Sequence, residues 1–154
     1  MSAMGGEKID AMQRAIEAAA EAAVRGEIPV GAVVVDGSGH LLAVAGNEVE
    51  VRADPSAHAE MVALRAAAAL RGTKHLTDCD LYVTLEPCAM CAAAIALFRV
   101  RRLYFAAFDP KGGGVDHGAR VFERSTTHHR PEIYGGLRAT EAASLLSDFF
   151  ATRR

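Results

Sequence analysis

At 154 residues the chain has room for one domain with its own core. With 51% hydrophobic residues and only five prolines, wholesale disorder is excluded, and no apolar run approaches the ~18 residues of a membrane-spanning helix. The net charge of −2 does not mark a nucleic-acid binder, but 7 basic and 13 acidic side chains precede residue 99 whereas 10 and 6 follow; the second part offers a polyanion a docking surface, and ordinary solvated charge accounts for the same pattern.

The opening Met1–Gly6 has no basic stretch followed by an apolar one, so no leader is expected. Lys8 to Arg25 carries Met12, Ala15, Ile16, Ala19 and Ala23 at helical spacing and is predicted to be an amphipathic helix ended by Gly26. Val30–Val35 and Leu41–Ala45 flank Asp36-Gly37-Ser38-Gly39 as a hairpin. Residues 47–53 read as a loop. Asp54, Pro55 and Ser56 offer caps for a helix over His58–Leu70. A strand at Asp80–Leu85 leads to a helix opened by Pro87 and running to Phe98, then a strand at Arg102–Ala107. Residues 109–114 are a Gly-rich loop, and 115–131 show no periodicity. Glu132–Tyr134 suits a short fifth strand, and Thr140–Arg153 a final helix. A hairpin followed by alternating helices and strands implies an α/β fold, with one mixed sheet between two helical layers. No repeat or linker divides residues 1–154, so one domain is expected.

The chemistry concentrates in His58-Ala59-Glu60 and Pro87-Cys88-Ala89-Met90-Cys91. Three cysteines cannot close a disulfide set; Cys88 and Cys91 instead read as a metal pair in a reducing compartment, the cytoplasm. Cys79 is expected to be a small buried thiol without a role. One imidazole and two thiolates suit tetrahedral Zn²⁺ and leave a fourth position open. Water there ionises near neutral pH. Glu60 is then free to accept its proton and pass it to a ring nitrogen and the leaving amine. His58 and Glu60, two apart, point in different directions in mid-helix. They converge only if the metal lies over the helix start. Cys88 and Cys91 are one turn apart at a helix N-terminus, where dipole and metal both favour thiolate. A structural zinc usually takes four protein ligands. Cys79, nine residues before Cys88, does not have a zinc-ribbon spacing. His40, His75, His117, His128 and His129 match no ligand pattern and are expected on surfaces or loops.

The H-x-E…P-C-x-x-C pattern is the signature of zinc nucleobase deaminases. Beyond it, the chain resembles the tRNA-specific adenosine deaminases of bacteria, within the cytidine deaminase superfamily, from about residue 7 onward. The resemblance is carried by Glu27–Val33, Gly46-Asn47, Asp54–Glu60, Leu81–Cys91, Asp109–Gly113 and Leu145–Phe150. It implies the superfamily's three-layer α/β/α sandwich and a homodimer holding one Zn²⁺ per subunit. The implied reaction converts the wobble adenosine of a tRNA anticodon to inosine. By position, Asn47 would hydrogen-bond the flipped nucleotide. Asp109 and Lys111 would sit near the flanking nucleotides, and Phe149 and Arg154 would touch the anticodon loop. Packing in the core is the competing role for Phe149 and Phe150. The chain departs from the resemblance at Ala45, at Phe108 and in Val115-Asp116-His117-Gly118, where several relatives have an Ala-Gly-Ser-Leu-like run. Two other functions fit the zinc motif: deamination of a free base such as guanine or cytosine, and a non-catalytic zinc module that binds RNA.

Overall fold

The computed structural model of the chain describes residues 10–153. Helix α1 (Ala11–Val24) starts at Asp10, whose carboxylate caps the Gln13 N–H at 3.0 Å; Lys8 and Ile9, the expected start, lie outside the described residues. Then follow β1 (Gly31–Val35), β2 (Leu41–Gly46), α2 (Val49–Arg52), α3 (Ala59–Arg71), β3 (Asp80–Leu85), α4 (Ala89–Leu97), β4 (Arg102–Ala107), β5 (Glu132–Gly135) and α5 (Ala139–Ala151).

The strands form one sheet in the order β2-β1-β3-β4-β5. The hairpin makes β1 antiparallel to β2, and β1 is also antiparallel to β3. Strands β3, β4 and β5 are parallel, each reached by a crossover. The sheet is therefore mixed, as the element order implies. All five residues of β1 are buried, and they divide between two cores. Ala32 and Val34 pack with Ala63, Leu64 and Ile95 of α3 and α4, while Val33 and Val35 pack with Met12, Ala15 and Ala142 of α1 and α5. That division produces three layers, and it explains why β1 reads as an unbroken apolar run rather than an alternation. Gly31 marks the closest helix–sheet approach: a Cβ there would lie 2.0 Å from the Ala15 carbonyl oxygen.

Three local expectations are corrected. Residues 47–53 are not simply a loop. They contain α2, whose Glu50 and Val51 N–H groups donate to the buried Glu27 carboxylate at 3.0 and 2.9 Å, a partner too far along the chain for a local pattern to reveal. Asp54 does not cap α3 but folds onto Ser56, accepting from its N–H and hydroxyl; the N-cap is His58 itself. Pro87 does not open α4, because the helix begins at Ala89 with Cys88 as N-cap. His117 and His129 lie in loops, as expected, but each is tied down there. His117 Nδ1 lies 2.8 Å from Glu86, and His129 Nε2 lies 2.6 Å from the Val100 carbonyl. The unassigned stretch 115–131 holds a 3₁₀ turn at Val121–Glu123 and buries Val115 and Phe122 against the α3/α4 core. Among the described residues no helix is long and apolar enough to cross a membrane.

Candidate active site

Helices α3 and α4 start side by side on one face of the sheet. Their N-cap residues, His58 and Cys88, have extended backbones and make no side-chain cap. Ordinary N-caps fold back onto the first turn. These two point onward, to each other. His58 Nδ1 lies 3.7 Å from Cys88 Sγ and 3.5 Å from Cys91 Sγ. A tetrahedral Zn²⁺ bound at the usual Zn–N and Zn–S lengths sets N and S about 3.5 Å apart. The three donor atoms fall within 4.8 Å of one another, the one such trio of His, Cys and acidic groups among the described residues. Their spacing and chemistry therefore fit zinc. Cys79 is no fourth ligand: its thiol lies by Arg71 and Asp78, 3.4 Å from the guanidinium.

Hydrogen bonding from Cys91 and His58 holds the Cys88 thiol down at about 4 against the opposing cost of burial, and the Cys91 thiol is pushed up by its bond to Cys88 and by burial. The imidazole is pushed up, chiefly by its bond to Cys88. Glu60, in the first turn of α3, is 4% exposed. Burial raises its carboxyl to about 7, only partly offset by its own backbone N–H and by His58. That value suits a group that must both take and give a proton at neutral pH. Glu60 is not part of the donor trio. The N-cap position of His58 solves the convergence problem, because its side chain leaves the helix axis and meets the first-turn carboxylate over the helix start.

His58, Cys88 and the Glu60 carboxylate open onto a cavity of about 540 Å³, within the usual range for small-molecule sites, with Cys91 buried behind them. Asn47, Asp109, Gly112, Phe149 and Arg153 also line it. Asn47 is nearly committed. Its Oδ1 accepts the Ala59 N–H at 2.9 Å, and its Nδ2 donates to the Ile28 carbonyl at 3.1 Å, leaving one N–H. Phe149 is buried, and the Arg153 guanidinium lies 3.7 Å from its ring centre, whereas Phe150 is exposed. The backbone N–H of Lys111 donates to Asp109 Oδ1 at 3.2 Å; its side chain is exposed and is not in the cavity wall. Arg154 lies outside the described residues.

Sequence reasoning missed the charged lining residues Glu27, Glu50, Glu86 and Arg153. Glu27 and Glu86 stand inside stretches that carry the resemblance, and Arg153 is the neighbour of the arginine singled out. Glu86, though buried, is held below the ordinary carboxylate range. Burial acts to raise it, but donors from the Asp109 backbone and from His117 outweigh that.

A three-ligand metal site, open to a cavity and flanked by a buried carboxylate at one face of a mixed sheet, defines a class: zinc-dependent hydrolases of the nucleobase-deaminase kind. Residues 6–107 match the family described as "Cytidine and deoxycytidylate deaminase zinc-binding region". The chain is 46% identical to the tRNA-specific adenosine deaminase of Agrobacterium fabrum over 148 residues, 96% of this chain and 97% of that one. A solved structure from a study of A-to-I editing by tRNA:A34 deaminases at the wobble position superposes with a TM-score of 0.86 and 47% identity, covering 88% of this chain and 98% of that one. The guanine deaminase of Bacillus subtilis also shares the fold, at a TM-score of 0.62 and 33% identity over 93% of this chain and 91% of that one. The chain belongs to the tRNA-specific adenosine deaminase family.

Proposed function

We propose that this chain hydrolyses the wobble adenosine of a tRNA anticodon to inosine. A buried Glu60 beside an open-fronted His58–Cys88–Cys91 trio carries the reading. The choice of adenosine in tRNA over a free base rests on the tRNA-specific relatives, similar over nearly the whole chain at 40–46% identity. The non-catalytic alternative does not account for a carboxylate buried beside the donor trio.

Net hydrolysis forms a C6–O bond, breaks the C6–N6 bond and releases ammonia. Zn²⁺, held by His58, Cys88 and Cys91, supplies the Lewis acid that lets water ionise near neutral pH. Glu60 takes the proton that the attacking water gives up. It returns one to the purine ring nitrogen and helps protonate the leaving amine. The remaining N–H of Asn47 faces an acceptor on the base. An unpaired base in an anticodon loop costs least to extrude. Asp109 and Phe149 at the cavity wall, with Lys111 outside it and Arg154 at the chain end, meet the flanking nucleotides and the loop backbone.

Residues 1–154 act as a single cytoplasmic domain, and two copies pair. Helix α4 supports pairing: Met90, Ala93 and Leu97 form an exposed apolar stripe, with Leu97 76% exposed. The test is incubation of zinc-loaded protein with an unmodified tRNA bearing adenosine at the wobble position and, separately, with guanine, cytosine and adenine. Inosine at that position alone supports the reading. Ammonia from a free base with no inosine in the tRNA overturns it.

A further inference from the structure

Glu86 performs a task the deamination chemistry does not require. Its side chain is wholly shielded from solvent, two residues before Cys88. One oxygen accepts the Asp109 N–H at 3.0 Å and the His117 Nδ1–H at 2.8 Å. The other accepts the N–H groups of Val115, Asp116 and His117 at 3.1, 2.9 and 3.1 Å. A carboxylate offers about four lone-pair sites, so these donors saturate it. All of them come from one segment, 109–117, which is thereby wrapped around a single buried anion.

The wrap is tight enough to dictate sequence. A Cβ on Gly113 would lie 2.4 Å from Glu86 Oε2, and one on Gly114 would lie 2.6 Å from the Ala89 nitrogen. The Gly114 N–H donates to the Pro87 carbonyl at 2.7 Å. Asp109 in turn accepts the Lys111 and Gly112 N–H groups at 3.2 and 2.9 Å, shaping the cavity rim. The rim is thus fastened to Pro87–Ala89, the stretch that carries the ligand Cys88. Four of the five donors are backbone groups, which almost any sequence supplies. The fifth is His117. It stands in the Val115–Gly118 run, where this chain departs from the family pattern. Because an ionised carboxylate only accepts, Nδ1 carries a proton in this contact.

We propose that His117 is a positioning residue for the substrate. Acting through Glu86, it holds the Asp109–Gly112 rim in its substrate-ready shape, so that the flanking nucleotides meet a preformed wall. The inference rests on the proposed function. Its physical basis is preorganisation: a rim that must order itself on binding weakens affinity without altering the chemistry at C6.

The test uses the zinc-loaded full chain with an anticodon stem-loop carrying the wobble adenosine. His117→Ala removes the side-chain donor but leaves the four backbone donors. His117→Asn puts an amide N–H where Nδ1 stood. His117→Ala is expected to raise KM about tenfold with kcat within about twofold, the effect of one charge-assisted hydrogen bond. The amides of Val115, Asp116 and His117 should exchange with deuterium about tenfold faster in the same variant, at unchanged zinc content. His117→Asn should restore both readings. A parent that deaminates the stem-loop beside a His117→Ala variant with parental KM overturns this inference alone. So does a loss of kcat together with zinc, or a failure of His117→Asn to rescue. A parent inactive on the stem-loop overturns the proposed function instead.

Discussion

Asn47 joins three segments that are remote in sequence, and the cost of removing it follows from its bonds. Its Oδ1 accepts the N–H of Ala59, the first residue of α3, and its Nδ2 holds the Ile28 carbonyl ahead of β1. Asn47→Ala strands a buried helix-start N–H, worth about 1–3 kcal/mol, and removes the donor from a partly buried carbonyl, worth about 0.5–1.5 kcal/mol. A combined loss of about 1.5–4.5 kcal/mol lowers the melting temperature of a domain this size by about 3–18 °C. His58 and Glu60 flank Ala59, so the same change loosens the entry to α3 and removes the one N–H left for substrate. The kcat/KM on tRNA should fall at least about tenfold. Thermal unfolding of both proteins in excess zinc, followed by far-ultraviolet circular dichroism, measures the first effect, and single-turnover deamination measures the second. Asn47→Asp keeps the acceptor for Ala59 but sets oxygen against the Ile28 oxygen, so it should not restore stability. A variant melting within about 1 °C of the parent refutes the bracket.

Three further outcomes follow from named contacts. Glu60→Gln keeps the shape of a buried side chain outside the donor trio, so zinc content and melting should be unchanged while kcat falls about 10²–10⁴-fold; a variant retaining a tenth of parental kcat removes Glu60 from the proton path. Chelation should expose the half-buried Cys88 to iodoacetamide at pH 8, whereas Cys79, wholly buried and with its pKa pushed up to about 11 by burial and Asp78, should stay unlabelled, because the reagent must reach a thiolate. Mass spectrometry of the alkylated peptides separates the two sites. Gly31→Ala drives a Cβ into the Ala15 and Ala19 backbone of α1 and should cost about 3 kcal/mol or more, read as a drop in urea midpoint.

The sheet and the metal trio were legible because their determinants are local. β1 announces itself as a run of branched apolar residues, and Cys88 and Cys91 stand three apart. What escaped the sequence was arranged across distance. α2 depends on the Glu27 carboxylate, more than twenty positions away. The ordered 109–117 loop depends on Glu86, which contacts nothing in its own neighbourhood that would mark it as an anchor. His117 resembled a surface histidine because its distinguishing contacts, with Glu86 and with the Phe108 ring, lie outside its own stretch. The helix starts were misplaced by one or two residues for a related reason. Asp54 and Pro87 are sound capping signals, but here the capping positions belong to ligands whose side chains face outward.

That use of the caps limits what the site can hold. A helix N-terminus favours an anion by roughly 0.3–1 kcal/mol and opposes a cation to the same degree, and two of them meet here. Neutral ligands would leave a dication facing both dipoles. Two thiolates cancel its charge, and Cys91, inside the first turn of α4, brings one of them to the positive end of that helix. The Cys-Cys-His set is therefore the electrostatic counterpart of the two-helix frame. Replacing either cysteine by histidine would keep the ligand count while leaving one positive charge uncancelled against both dipoles.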